Sequence, residues 1–100
     1  MTKMYLAEMA DPEPKFPLGR VVITKGAEEK LSPDEVGFAL IRHSRGDWGT
    51  LSDSDRQENE FSLKHGYRLF SVYRATGGKK FWVITEADRS ATTVLLPDDY

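Results

Sequence analysis

Cysteine is absent from the chain. Disulfides, thiolate zinc sites and cysteine nucleophiles are excluded together, and a reducing compartment suits such a sequence. Long hydrophobic runs are missing too. No stretch approaches the roughly 18 consecutive apolar residues of a membrane span. The opening Met1-Thr2-Lys3-Met4-Tyr5-Leu6-Ala7-Glu8 meets an acid too early for a secretory signal. The expected location is therefore cytoplasmic, with no membrane partner. Histidine is scarce: His43 and His65 are the only two. Neither stands in ligand spacing with other histidines or carboxylates, so no metal and no cofactor is expected. A phosphate-cradling glycine loop, a nucleophile elbow and an HExxH pair are all lacking. These absences point away from an enzyme.

Strong net charge is lacking as well. A formal charge of -2 is too small for the basic footprint of a nucleic-acid binder or the acidic surface of a DNA mimic. Local patches can nevertheless depart from the total.

Of the 100 residues, 39% are hydrophobic and 30% charged, the balance of one small globular domain. Three prolines fall in Asp11-Pro12-Glu13-Pro14-Lys15-Phe16-Pro17. Proline lacks the ladder donor and restrains its predecessor, so residues 1–16 are expected to be a disordered tail and residues 17–100 a single domain. A strand is predicted over residues 18–24, where Val21, Val22 and Ile23 favour the pleat. A short helical turn is expected around residues 27–31. Ser32-Pro33-Asp34-Glu35 is a capping box with proline at the first helical position, predicting a helix to about residue 44. Ser52 caps a second helix to about residue 65, stopped by Gly66. Its apolar content is thin, essentially Phe61 and Leu63. Strands follow over residues 67–74, 81–85 and 92–96, joined by Thr76-Gly77-Gly78-Lys79 and by a turn over 86–90. The fold class predicted is α+β: a three- to four-stranded, mainly antiparallel sheet with two helices on one face. The expected core is Val22, Phe38, Leu40, Ile41, Leu69, Val83, Ile84 and Leu95.

Candidate chemistry lies at element ends. In Gly46-Asp47-Trp48-Gly49, Trp48 either fills the core or stacks on a ligand, and Asp47 either braces its own loop or binds. His43 is either a helix-terminal structural histidine or a general acid. The turn holding Glu86, Asp88 and Arg89 either satisfies its own backbone or supplies a base and a phosphate clamp. The second helix is too polar for packing alone, so Arg56, Asn59 and Glu60 need partners; Arg89 and Glu86 of the turn are the expected ones, since carboxylate–guanidinium pairs between them and the helix would fix turn to helix. A binding surface is therefore expected from Asp47, Trp48, Arg56, Asn59, Glu60, Glu86, Asp88 and Arg89.

Several blocks carry a resemblance: Gly46-Asp47-Trp48-Gly49, Asn59-Glu60, Leu63-Lys64-His65-Gly66, Arg68-Leu69-Phe70-Ser71-Val72-Tyr73, and the stretch from Trp82 to Pro97. Residues 17–100 resemble small plasmid-related proteins of bacterial mobile elements, and the last block is the most specific. The resemblance implies an accessory protein of a mobile element and no particular reaction. Its partner would be an unidentified protein or nucleic acid, and the oligomeric state stays open. A fold-level analogy to barnase- and RelE-like ribonucleases offers the alternative of a metal-independent ribonuclease. There Glu60 or Glu86 would be the base and His43 the acid, while Arg68 and Arg89 hold the phosphate.

Overall fold

The computed structural model describes residues 13–100. Strand β1 (Arg20–Ile23) leads into helix α1 (Lys25–Lys30), then α2 (Pro33–Ser44) and α3 (Asp53–His65). Strands β2 (Leu69–Arg74), β3 (Lys80–Thr85) and β4 (Ala91–Leu95) follow, closed by a 3-10 turn at Pro97–Asp99. The sheet order is β1-β4-β3-β2. β2, β3 and β4 form an antiparallel meander, and β1 joins β4 in parallel. The fold is α+β as expected, with one parallel edge strand making the sheet mixed.

Local chemistry sets the element ends. Ser32 Oγ accepts the N–H of Glu35 at 3.1 Å, and Glu35 Oε1 accepts the N–H of Ser32 at 2.9 Å. The other Glu35 oxygen accepts the N–H of Thr76 at 2.7 Å, tying the start of α2 to the β2–β3 hairpin. Two N–H donors, of Ser32 and Thr76, favour the ionised carboxylate. They bring its pKa down to about 2, the Ser32 backbone bond contributing most. Helix α3 starts on Ser52, whose side chain accepts from Asp55, and ends on Gly66 in the left-handed conformation.

Alternation along the strands gives the sheet two faces. Tyr73, Phe81, Val83 and Val94 point to the first, where Ala27 of α1, Leu31 just after it, and Val36 and Ala39 of α2 cover them. Phe70, Val72, Trp82, Ile84 and Leu95 fall on the second by register. Val83 and Ile84 are thus both buried, on opposite faces. Leu69 and Leu95 are buried as expected and Leu40 half-buried.

Three expected core residues are not in the core: Val22 is 39% exposed, Phe38 66% and Ile41 45%. Val22 lies on an edge strand and points away from the helices. Phe38 and Ile41 lie on the outer side of α2, because Val36, Ala39, Leu40 and His43 take the inner stripe.

The expected tail is corrected at its end. Phe16 is buried with Trp48 and Leu69, and the N–H of Lys15 donates to the Ser44 carbonyl at 2.7 Å. An aromatic ring with an apolar cleft beside it buries whatever its neighbouring prolines dictate, so Lys15 and Phe16 belong to the folded domain. Of the rest of the expected tail, Glu13 and Pro14 are exposed and residues 1–12 lie outside the described residues.

Candidate functional site

The polar residues of α3 find their partners inside the fold. β2 is an edge strand, whose outward N–H and C=O groups would otherwise invite another strand. Asn59 acts there as a one-residue strand: its Nδ2 donates to the Phe70 carbonyl at 2.5 Å and its Oδ1 accepts the Phe70 N–H at 3.2 Å. The loop after α2 covers the next step, with Val72 N–H donating to Trp48 O and Thr50 N–H donating to Val72 O. Gly49 sits in that bridge at φ 80°. A Cβ there would lie 1.8 Å from the Val72 carbonyl oxygen, so the close approach requires glycine. Arg56 donates to the Gly49 carbonyl at 2.6 Å.

Asn59 is 5% exposed, and its removal would strand both Phe70 backbone groups. Asn59→Ala is expected to destabilise the domain by about 2–3 kcal/mol. Urea denaturation checks this; Asn59→Asp, which still accepts from Phe70 but no longer donates, serves as its comparison.

Trp48 fills the core and does not stack on a ligand. It is 1% exposed, stacks on Phe16 at 6.2 Å and meets His43 edge-on at 5.6 Å. Its indole N–H donates to Glu60 at 2.8 Å. Asp47 accepts from Arg42 through both oxygens, at 2.7 and 3.1 Å. That charged pairing holds the Asp47 carboxyl below its ordinary value. The Asp47 carbonyl accepts the Tyr73 hydroxyl.

Arg89, at φ 62°, turns its guanidinium back under its own turn. It donates to the carbonyls of Tyr67, Glu86, Ala87 and Ser62 at 2.7–3.2 Å. It therefore holds the turn to the end of α3, where free carbonyls favour a cation. The expected tie between turn and helix is made by Arg89 to the Ser62 backbone carbonyl and not to a carboxylate of the helix. Asp88 accepts the Ser90 N–H at 3.0 Å, bracing the turn, and Glu86 is exposed.

His43 is wholly buried. Its Nδ1 lies 2.6 Å from Ser71 Oγ and its Nε2 2.9 Å from Thr85 Oγ1. Thr85 Oγ1 is 2.7 Å from Thr92 Oγ1, and Thr92 donates to the Leu18 carbonyl at 2.7 Å. That last bond sets every proton. Thr92 has spent its hydrogen, so Thr85 donates to Thr92 and accepts from His43. His43 therefore carries its proton on Nε2 and accepts at Nδ1 from Ser71. Burial above all, with the charge of Arg89, lowers its pKa to about 4. His43 is a neutral link joining α2 to three strands.

The ribonuclease set is consequently not assembled. His43 lies beneath the helices, Glu60 holds the Trp48 indole, and Arg89 is spent on carbonyls. Arg68 lies on the second face of the sheet.

That second face holds Phe70, Trp82 and Tyr100, which no motif in the sequence marks, beside the expected Arg68 and Ile84. The buried side chains of α1 and α2 meet the first face, while those of α3 meet Trp48, Leu69 and the β2 edge. Among the described residues no α-helix lies across the second, though the 3-10 turn at Pro97–Asp99 meets β3 and brings Tyr100 onto it. Its own aromatics cover it: Phe70 and Trp82 meet edge to face at 5.2 Å, and Trp82 meets Tyr100 at 5.7 Å. Arg68, Phe70, Trp82, Ile84 and Tyr100 line a pocket of about 280 Å³, near the lower end of ligand-pocket sizes. Arg68 sits above the Tyr100 ring, with its centre 6.0 Å away. The available signal was parity. In β2 and β3 both the odd and the even positions carry large apolar residues, more than one short helix and two longer ones cover. No group of His, Asp or Glu able to hold a metal occurs among the described residues, nor does a helix long and apolar enough to cross a membrane.

Comparison with known proteins finds no matching family model, no matching curated protein and no matching solved structure.

Proposed function

We propose that the chain is a non-enzymatic binding module and that its working surface is the second face of the sheet. The observation that carries this reading is the aromatic pocket of Arg68, Phe70, Trp82, Ile84 and Tyr100, left without a covering helix. A small domain ordinarily presents polar residues on an uncovered sheet face, and a contiguous apolar patch rimmed by polar residues marks interaction. The surface first expected, from Asp47 to Arg89, is a lesser candidate. Asp47, Trp48, Arg56, Asn59, Glu60, Asp88 and Arg89 each make a bond that holds the fold. The accessory role on a bacterial mobile element rests on the resemblance of residues 17–100 alone, and cytoplasmic residence on composition.

Affinity capture from a bacterial extract tests the choice of surface. Wild type, Arg68→Ala and Asp88→Ala are compared after circular dichroism confirms their folding. Arg68→Ala is expected to lose the retained partner and Asp88→Ala to keep it. The opposite pattern would return the function to the turn over residues 86–90.

A further inference from the structure

Resting on that reading of the sheet face, we infer that its ligand is single-stranded nucleic acid, with bases stacked on Trp82 and Phe70 and the backbone held by the surrounding cations. The charge is distributed for it. Within the four strands, every charged residue that the register places on the second face is basic: Arg20 opposite Ala91, and Arg74 opposite Lys80. Arg68, one residue before β2, adds a guanidinium at the pocket. A directly opposed like-charge pair destabilises a sheet, and a phosphate beside Arg74 and Lys80 relieves it. Arg74 turns partly to the hairpin, donating to the Gly78 carbonyl at 3.1 Å and also lining the cleft with Glu35 and Phe38 of α2, while Lys80 is exposed. The nearest acid in register is Glu86, one residue beyond β3 and level with Arg68.

The rings suit bases. Phe70 and Trp82 are half-buried, firmly seated with part of each ring open, and Tyr100 is 71% exposed. Stacking on such rings tolerates any sequence, because every base has a π-face. A duplex keeps its bases stacked inside and offers them no ring contact. A four-stranded face about 14 Å across has no element shaped to enter a groove. The net charge of -2 does not oppose this, since the acids lie off the strands of this face and short-range fields decide binding in salt.

Fluorescence anisotropy with labelled dT8, rU8 and a duplex of equal length tests the inference, alongside quenching of the indole fluorescence. Either or both single strands are expected to bind at least about tenfold more tightly than the duplex. With three or four cations engaged, log K is expected to fall against log salt with a slope of about -2 to -3. Trp82→Leu is expected to cost about tenfold or more in affinity. Arg68→Ala is expected to weaken binding and flatten the salt slope by roughly 0.7. Glu86→Gln, which removes the acid level with Arg68, is expected to strengthen binding. Arg68 and Glu86 are exposed, so these two variants keep the test open if Trp82→Leu folds poorly. Failure of both single strands to bind at about 50 mM salt, or duplex binding of equal strength, overturns the inference. If that happens while Arg68→Ala still abolishes capture of a protein, the ligand class falls and the surface stands. Oligonucleotide binding that none of the three variants changes overturns both.

Discussion

Trp48→Ala is expected to destabilise the domain by about 3–5 kcal/mol, a large share of the roughly 5–15 kcal/mol available to a domain. The indole is 1% exposed and is the largest side chain in a small second cluster with Phe16 and Leu69. Leu18, Leu51 and Leu63 rim that cluster without being fully buried, so little surrounding mass can collapse into the void. The loss also frees Phe16, whose stacking on Trp48 seats the segment before β1. Trp48→Phe separates volume from polarity: it keeps most of the ring and gives up only the N–H to Glu60. Glu60 is exposed and rehydrates, so Trp48→Phe is expected to lose about 1–2 kcal/mol. Guanidinium denaturation measures both. A fall in melting temperature of more than about 10 °C for Trp48→Ala is the matching thermal result. An unchanged stability would mean that Trp48 is held ready for a ligand and not for the core.

Some of this architecture was legible because it depends on neighbours in sequence. The Ser32–Glu35 box, the Ser52 cap, the Gly66 stop and the Gly77-Gly78 turn are local chemistry, and each stands where the residues demanded it. The polarity of α3 was also legible, and so was its need for partners. What it partnered was not, since Asn59 meets Phe70 only after β2 has become an edge. The parallel pairing of β1 with β4 joins segments about seventy residues apart, and no periodicity records it. Phe38 and Ile41 misled for a related reason. Five consecutive residues of α2, from Val36 to Leu40, include four apolar or small ones besides Gly37, and the stripe that faces inward is chosen by the sheet. The second face is hard to see in sequence because alternation ordinarily marks one buried side of a strand. Phe70 and Trp82, each beside buried residues, show that both sides carry apolar weight.

Lowering the pH from 7 to 4 is expected to remove about 3 kcal/mol of stability through His43 alone. In the folded chain its pKa is pushed down to about 4, chiefly by burial and secondarily by the charge of Arg89. In the unfolded chain it returns to about 6.5. Between those values the unfolded chain binds the proton and the folded chain does not. Stability therefore rises with pH across the window: it is fully present above about 6.5 and lost as the pH falls toward 4. The carboxylates held below their ordinary values, Glu35, Asp47, Asp88 and Asp99, add their own loss lower down, as they begin to protonate in the unfolded chain near pH 4. The window above belongs to the histidine. His43→Gln isolates it, because an amide can still donate toward Thr85 and accept from Ser71 without titrating. That variant is expected to be less stable at pH 7 yet nearly flat from pH 6.5 to 4.5, where wild type falls steeply. Nitrogen chemical shifts supply the second reading: at pH 7 Nε2 should carry the proton and Nδ1 should be bare, as the chain of hydroxyls from Leu18 to Ser71 requires. A slope of equal size in wild type and His43→Gln would mean that His43 is protonated in the fold, and that Ser71 and Thr85 both accept from it.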